Sequence, residues 1–439
     1  MASSAVMKRL TSRRRSTTTA GASGAAGASF QFTTAQRIVF RRGAAAELAQ
    51  WVIDIDRRAR RGQTEKGDDD KVKCRVVVVT GSAGLERESL SEVKSSLENA
   101  VDKIEYSIFR LASGAEPTVD VAADAVAFAR QKHADIIVGV GGGSAIDTAK
   151  AVAALVPQPG ELLDHMEVVG RGEPLSAKPL PWLALPTTAG TGSEATKNSV
   201  FDDPNANVKA SLRDDAMLAT CAIIDPLLTL SVPPDVTRAT GLDTLTQNIE
   251  PYLSSSSTVI TDQLALKGIE CCARSLLEAY ENGASIDARE DMCVASLFGG
   301  ISLANAKLGS VHGFAGPLGG MLHAPHGALC SAMLAASMQV NVEALKTRGT
   351  PEEQERFLPR FDTVAQVLTG DSSATAADGV AWIQSLCQKM KVIGLREFGM
   401  HEGRIAEAIE KGRRSSSMKG NPSTYASKYA CTQIECVRD

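Results

Sequence analysis

Between residues 74 and 195 the chain repeats one unit: a β-branched apolar run, a glycine-bearing turn, then an amphipathic helix. No other feature restricts the fold as much. "CRVVVVTGSAG" reads as a buried strand and turn, followed by a helix with Leu90, Val93, Leu97 and Val101 on one face. "KIEYSIFRL" is a second strand, "TVDVAADAVAFARQK" a helix opened by Thr118, "ADIIVGV" a third strand, and "PLPWLALPTTAGTGSE" a fourth with a Gly/Thr loop. "QRIVFRRG", ahead of them, reads as an edge strand. Strands that alternate with helices pair in parallel through right-handed crossovers, which predicts an open α/β sheet covered on both faces. A ligand of such a sheet sits at the carboxyl ends of its strands.

Beyond "IIDPLLTLSVPPDV", with its three prolines, strand patterns disappear and helix-length segments take over, such as "TDQLALKGIECCARSLLEAYENG" and "REDMCVASLFGGISLANAKLG". A chain of 439 residues exceeds one ordinary core, so two folding units are predicted. No run of about 18 apolar residues is present, and no membrane partner is expected. Residues 1–46 carry eight bases and no acid, which leaves 39 bases against 51 acids elsewhere. An acidic body repels polyanions, so nucleic acid is not an expected partner. The first 30 residues are rich in Arg, Ser, Thr and Ala, the composition of an organelle transit peptide. Residues 1–34 are thus read as a transit peptide for the mitochondrial matrix, or alternatively as the disordered tail of a cytoplasmic protein. Nine scattered cysteines without a CxxC pair suit a reduced compartment.

Two loops carry the chemistry of the first half. At the end of the third strand, Gly141, Gly142 and Gly143 remove every Cβ that would collide with a ligand. Ser144 follows as an N-cap, with Asp147 at capping-box spacing, so a helix N-terminus faces the crevice and suits a phosphate. The spacing is neither GxGxxG nor a P-loop, and a ligand-free strand–helix turn would use the same glycines. "PTTAGTGSE" adds Thr187, Thr188, Thr191 and Ser193 around two more glycines. Two such loops on one crevice suggest a dinucleotide.

The second half holds three of the six histidines within fifteen residues, "HGFAGPLGGMLHAPH", where glycine and proline argue against a simple amphipathic helix. Upstream, "PPDVTRATGLDTLTQNIEPYL" is a helix that places Asp243 and Gln247 on one face and Leu242, Leu245 and Ile249 toward the core. Asp243 with two imidazoles would accept a divalent cation and leave a position for substrate. A capped helix and core histidines would also account for these residues.

Taken together, "GVGGGSAIDTAKA", "LPTTAGTGSEAT", "ATGLDTLTQNIEPYLS" and "VHGFAGPLGGMLHAPHG" resemble the iron-containing alcohol dehydrogenases, the metal-dependent group III family. The resemblance runs roughly from residue 35 to residue 425. It implies an N-terminal α/β dinucleotide-binding domain with a parallel sheet (35–224) and an all-α C-terminal domain (225–439), the dehydroquinate synthase-like fold, with metal and substrate in the cleft. Carried over by position, Gly141, Gly142, Gly143 and Ser144 would hold the pyrophosphate, with Asp147 beside them. Thr187, Thr188, Thr191 and Ser193 would line the cofactor cleft, and Lys209 would lie near the nicotinamide ribose. The family's metal set is an aspartate, a histidine four residues on, and two histidines fourteen apart. Asp243, His312 and His326 match, but Gln247 stands in the second place. Its amide oxygen is a neutral, hard ligand. Because glycerol dehydrogenases of the superfamily manage with one aspartate, two histidines and zinc, the resemblance implies Fe2+ or Zn2+, with Gln247 as an optional ligand.

Gly316 replaces a histidine that many members place near the nicotinamide, so no catalytic residue is assigned, although His323 is close in sequence. After the first strand, NAD-preferring members often carry an acid; here Gly81 stands, with Ser82 and Arg87 nearby, which permits NADP as well as NAD. The implied activity is hydride transfer between NAD(P)(H) and a small alcohol, aldehyde or ketone, by a homo-oligomer, a dimer in this family. The alternatives are a metal-free reductase resembling maleylacetate reductases, a hydroxyacid-oxoacid transhydrogenase, and a nucleotide-binding pseudoenzyme. Retention of Asp243 counts against the first.

Overall fold

The computed structural model describes residues 29–60, 72–112, 117–206 and 208–423. Met1–Gln31 and Phe32–Asp439 separate as two units, and everything below concerns the second. The transit-peptide reading falls almost wholly outside the described residues.

The strands are β1 (Ile38–Phe40), β2 (Cys74–Thr80), β3 (Ile104–Arg110), β4 (Ile136–Gly141), β5 (Trp182–Pro186), β6 (Asn198–Asp203), β7 (Val208–Arg213) and β8 (Cys221–Ile224). Six of them form one parallel sheet in the order β1-β8-β5-β4-β2-β3. The helices among and after these strands are α1 (Leu48–Arg60), α2 (Ser91–Glu98), α3 (Val119–Gln131), α4 (Gly143–Leu155) and α5 (Leu162–His165). Among the described residues only helices follow Ile224: α6 (Pro234–Leu253), α7 (Val259–Glu281), α8 (Ile286–Asn305), α9 (Ser310–Leu322), α10 (His326–Arg348), α11 (Pro351–Thr369), α12 (Ala376–Lys389) and α13 (Glu402–Arg414). The parallel α/β sheet and the helical remainder are the predicted fold class.

Side chains of a strand alternate between faces, and the sheet core divides accordingly. Val77, Val79 and Ile137 pack on one side with Val126 of α3 and Val152 of α4, while Val76, Val78, Ile136 and Val138 pack on the other with Val52 of α1 and Val93 of α2. Burial on both faces explains why β2 reads as four consecutive valines. From β2 the chain moves outward to β3 and then returns to the other side of β2 as β4, so the order reverses between β2 and β4. Thr80 pairs with Val140, and Gly81 and Gly141 therefore leave the sheet side by side at that switch point.

Four expectations need correction. Helix α2 stops at Glu98, so Val101 is not on its apolar face and is exposed. The chain between Asn198 and Ile224, for which no strand was predicted, supplies the antiparallel hairpin β6–β7 and the sheet strand β8. The histidine stretch is helical despite its glycines and Pro317: α9 runs through Pro317, and α10 begins at His326. Helix α10 also has the length and apolarity to cross a membrane, which the sequence was read as lacking, but 72% of its most apolar window is buried in the helical core.

Candidate functional site

Helix α4 starts two residues earlier than the capping-box reading implied. Its N-cap is Gly142, no side chain caps it, and Ser144 already sits in the first turn, where its carbonyl accepts from Thr148 Oγ1 at 2.8 Å. The first amides of a helix lack intrahelical partners, and here no side chain competes for them. Asp147 does not close a capping box either. Its carboxylate accepts from Ser193 Oγ and, at 3.0 Å, from the amide of Val200, which ties α4 to the second loop and to β6. It is committed to protein partners rather than to a cofactor.

The glycines answer to the second loop as well as to a ligand. A Cβ on Gly143 would come within 2.8 Å of Thr191 Cγ2 and 2.9 Å of its Oγ1, while one on Gly142 would meet Thr188 Oγ1 at 3.4 Å. The amide of Thr187 donates to Gly141 O at 2.8 Å. Gly81 lies alongside, its amide nitrogen 3.7 Å from where a Gly141 Cβ would be, and Ser82 is exposed next to it. The two predicted loops thus form one cradle around the end of α4. Beneath it the fully buried ammonium of Lys150 donates to Ser193 Oγ (3.0 Å), Thr196 Oγ1 (2.8 Å) and Asn198 O (2.6 Å). Burial lowers its pKa, against the attraction of Asp147. Burial likewise pushes the neighbouring Glu194 carboxyl up to about 7, although Lys150 pulls it down.

The cradle is fastened to the helical half through Gly190 and Gly192. Gly192 and Gly300 of α8 face each other so closely that a Cβ on either would lie under 3 Å from the other's backbone. Gly190 O accepts from Thr244 Oγ1 and from Gln247 Nε2, each at 3.0 Å. The amide nitrogen of Gln247 thus anchors the loop, while its oxygen is the atom expected to serve as an optional ligand. Lys209 in β7 packs over α9, since a Cβ on Gly319 would fall 2.7 Å from Lys209 Cε and Nζ.

One turn from that anchor, Asp243 meets His312 of α9 and His326 of α10. Asp243 Oδ1 lies 3.3 Å from His312 Nε2 and 3.8 Å from His326 Nε2, and the two rings are 5.4 Å apart. The fourth member of this meeting was not predicted: Cys330, one turn after His326. Donor atoms of Asp243, His312, His326 and Cys330 all lie within 4.8 Å of one another. His323, by contrast, ends α9 in a left-handed conformation and is exposed. A Cβ on Gly316 would meet nothing within 4 Å.

Glu250 was also missed, although it lies seven residues after Asp243 on the same helix. Its Oε1 accepts from the amide of Val311 (2.6 Å), and its Oε2 from His312 Nδ1 (2.7 Å) and the His312 amide (3.4 Å). The carboxylate therefore caps the N-terminus of α9, where the helix dipole favours negative charge, and fixes the tautomer of His312.

The four donors fit a cation. With Nδ1–H given to Glu250, Nε2 of a neutral His312 presents a lone pair to Asp243 Oδ1, which is buried and has no hydrogen-bond partner. Two acceptors at 3.3 Å need positive charge between them, from a proton or a metal. Burial lowers the His312 pKa, but Cys330, Asp243 and Glu250 outweigh it and hold the ring well above its usual value. When a proton rather than a metal lies between the two atoms, burial still raises the pKa of Asp243, but the hydrogen bond then donated by His312 and the charges of both imidazoles bring it below the ordinary carboxylate range. Burial, with Asp243, pushes the Cys330 thiol up to about 12.

The sequence model described as "Iron-containing alcohol dehydrogenase" matches residues 35–226, and that of the C-terminal part of the Fe-containing alcohol dehydrogenase family matches residues 237–432. Long-chain-alcohol dehydrogenase 1 of Geobacillus thermodenitrificans is 43% identical over 212 residues, 48% of this chain and 53% of that protein, so the chain spans about half the length of that relative. 1,3-Propanediol dehydrogenase of Klebsiella pneumoniae is 32% identical over 338 residues, 74% of this chain and 84% of that one. The crystal structure of sulfoacetaldehyde reductase from Bifidobacterium kashiwanohense, a complex with NAD+, superposes with a TM-score of 0.78 at 26% identity, over 94% of this chain and 99% of the other.

Proposed function

Because the chain belongs to the iron-containing alcohol dehydrogenase family, we propose that it is a metal-dependent oxidoreductase that moves a hydride between a nicotinamide dinucleotide and the carbon of an alcohol or carbonyl substrate. The observation that carries this reading is the convergence of Asp243, His312 and His326 beside the loop that Gln247 and Thr244 anchor.

Residues 35–224 bind the dinucleotide and residues 225–439 hold the cation and the substrate. The open amides of α4, between Gly142 and Ser144, receive the diphosphate, and Thr188 and Thr191 wall it in. Asp243, His312 and His326 hold the divalent cation, which supplies Lewis acidity toward the substrate oxygen. Glu250 keeps the proton of His312 on Nδ1 so that Nε2 stays available. Asp147 and Lys150 set the spacing of the two loops, and with it the distance between cofactor and substrate.

Both nicotinamide dinucleotides are accepted in this reading. A relative in complex with NAD+ supports the class. The strand end "TGSAG" offers no carboxylate to repel a 2′-phosphate, which supports NADP. Metal analysis of the purified protein, paired with NADH and NADPH oxidation over a panel of aldehydes and ketones before and after chelation, tests the proposal. Full turnover in chelated, metal-free protein would refute it. The acid-free basic head supports a mitochondrial matrix destination, which fusion of residues 1–34 to a reporter tests. Family membership supports a homodimer, which sedimentation tests.

A further inference from the structure

Gln247 gives its amide nitrogen to the loop carbonyl of Gly190, and a sulfur stands beside the other three expected ligands. We propose that Cys330 is the fourth protein ligand, bound as a thiolate, and that the resulting Asp-His-His-Cys set makes the centre selective for zinc over iron. The inference rests on the reading of this cleft as a cation site.

Three observations carry it. His326 and Cys330 stand four residues apart on α10, which turns both donors to one face, and Cys330 Sγ lies 3.6 Å from His326 Nε2. The distances suit a tetrahedral ion. Zinc bonds of about 2.0–2.1 Å to nitrogen or oxygen and about 2.3 Å to sulfur imply donor–donor edges of about 3.3–3.4 Å and, with sulfur, about 3.6 Å. The structure has 3.3 Å for His312–Asp243, 3.8 Å for His326–Asp243 and 3.6 Å for Cys330–His326. Finally, a buried cysteine that only fills space belongs among apolar groups. This one shares its place with a carboxylate that lacks a hydrogen-bond partner on Oδ1 and with two imidazoles.

Binding breaks the Sγ–H bond and forms the Sγ–metal bond, with one proton released to solvent. A thiolate is a soft donor that favours zinc, whereas the hard oxygen of Gln247 would not have discriminated in this way.

Cobalt(II) reports on zinc sites by its absorption. Metal-free protein titrated with cobalt(II) should develop a thiolate-to-cobalt charge-transfer band in the near ultraviolet together with strong visible bands. In Cys330→Ser and Cys330→Ala the charge-transfer band should vanish, and zinc affinity from competition with a chromogenic chelator should fall at least tenfold. Thermal unfolding of the metal-free variants establishes that they fold. Cobalt bound with visible bands but no charge-transfer band, or with a band unchanged in both variants, would overturn the assignment of Cys330 and leave the cation site standing. Failure of the parent protein to bind cobalt or zinc at all would overturn the cation site and this inference with it.

Discussion

Replacing Glu250 by glutamine changes one atom and removes one charge, and its consequences can be worked out from the hydrogen bonds. Oε1 accepts from Val311 N at 2.6 Å and Oε2 from His312 Nδ1 at 2.7 Å, so both positions face an N–H. An amide has only one oxygen. If its NH2 faces Val311, two donors confront each other in a buried place, at a cost of about 1–3 kcal/mol. If it faces His312, the imidazole must give up the proton on Nδ1 and carry it on Nε2, the atom that faces Asp243 and the cation. The ring can ligate only by paying one penalty or the other. Zinc affinity of Glu250→Gln should therefore fall about 10–100-fold, or about 1.4–2.7 kcal/mol. Chelator competition measures it, and thermal unfolding of the metal-free protein separates a local effect from loss of fold. Unchanged zinc affinity in a folded Glu250→Gln protein would refute the claim that this carboxylate sets the tautomer of His312.

Three further outcomes are expected. Gly143→Ala drives a methyl into Thr191 at 2.8 Å, so it should cost about 1–3 kcal/mol in denaturant unfolding and weaken dinucleotide binding measured by calorimetry. Lys150→Met strands the acceptors of a fully buried ammonium and should destabilise the protein by on the order of 3 kcal/mol, read from the same unfolding curves. Glu194, raised from 4.5 to about 7 by burial, keeps its proton in the folded state where the unfolded chain has lost it, so its contribution to stability falls as pH rises through that window. In Glu194→Gln the stability gain over the parent should widen by on the order of 3 kcal/mol from below pH 4.5 to above about pH 7, and a gap independent of pH would count against the buried acid.

Parts of this protein were legible in the chain alone. The alternation of valine-rich strands with helices dictated a parallel sheet, because successive parallel strands need a crossover, and the sheet's ligand end followed from the glycines after β2 and β4. Asp243, His312 and His326 stood out through residue type and through motifs that resemble a family's. The hairpin β6–β7 did not, because its strands are half exposed and carry too little apolar alternation to register, and β8 is only four residues long. Glu250 and Cys330 were hidden for a different reason. Sequence spacing tells which residues share a face of one helix, but the faces of α6, α9 and α10 meet only through tertiary packing. Whether Gln247 or Cys330 completes the donor set depends on a few ångströms of approach between helices. The close contact of Gly192 with Gly300 and the hydrogen bond from Gln247 to Gly190 O fix the loop on α6 and α8, while the packing of α10 sets the sulfur of Cys330 beside the donor atoms of Asp243, His312 and His326.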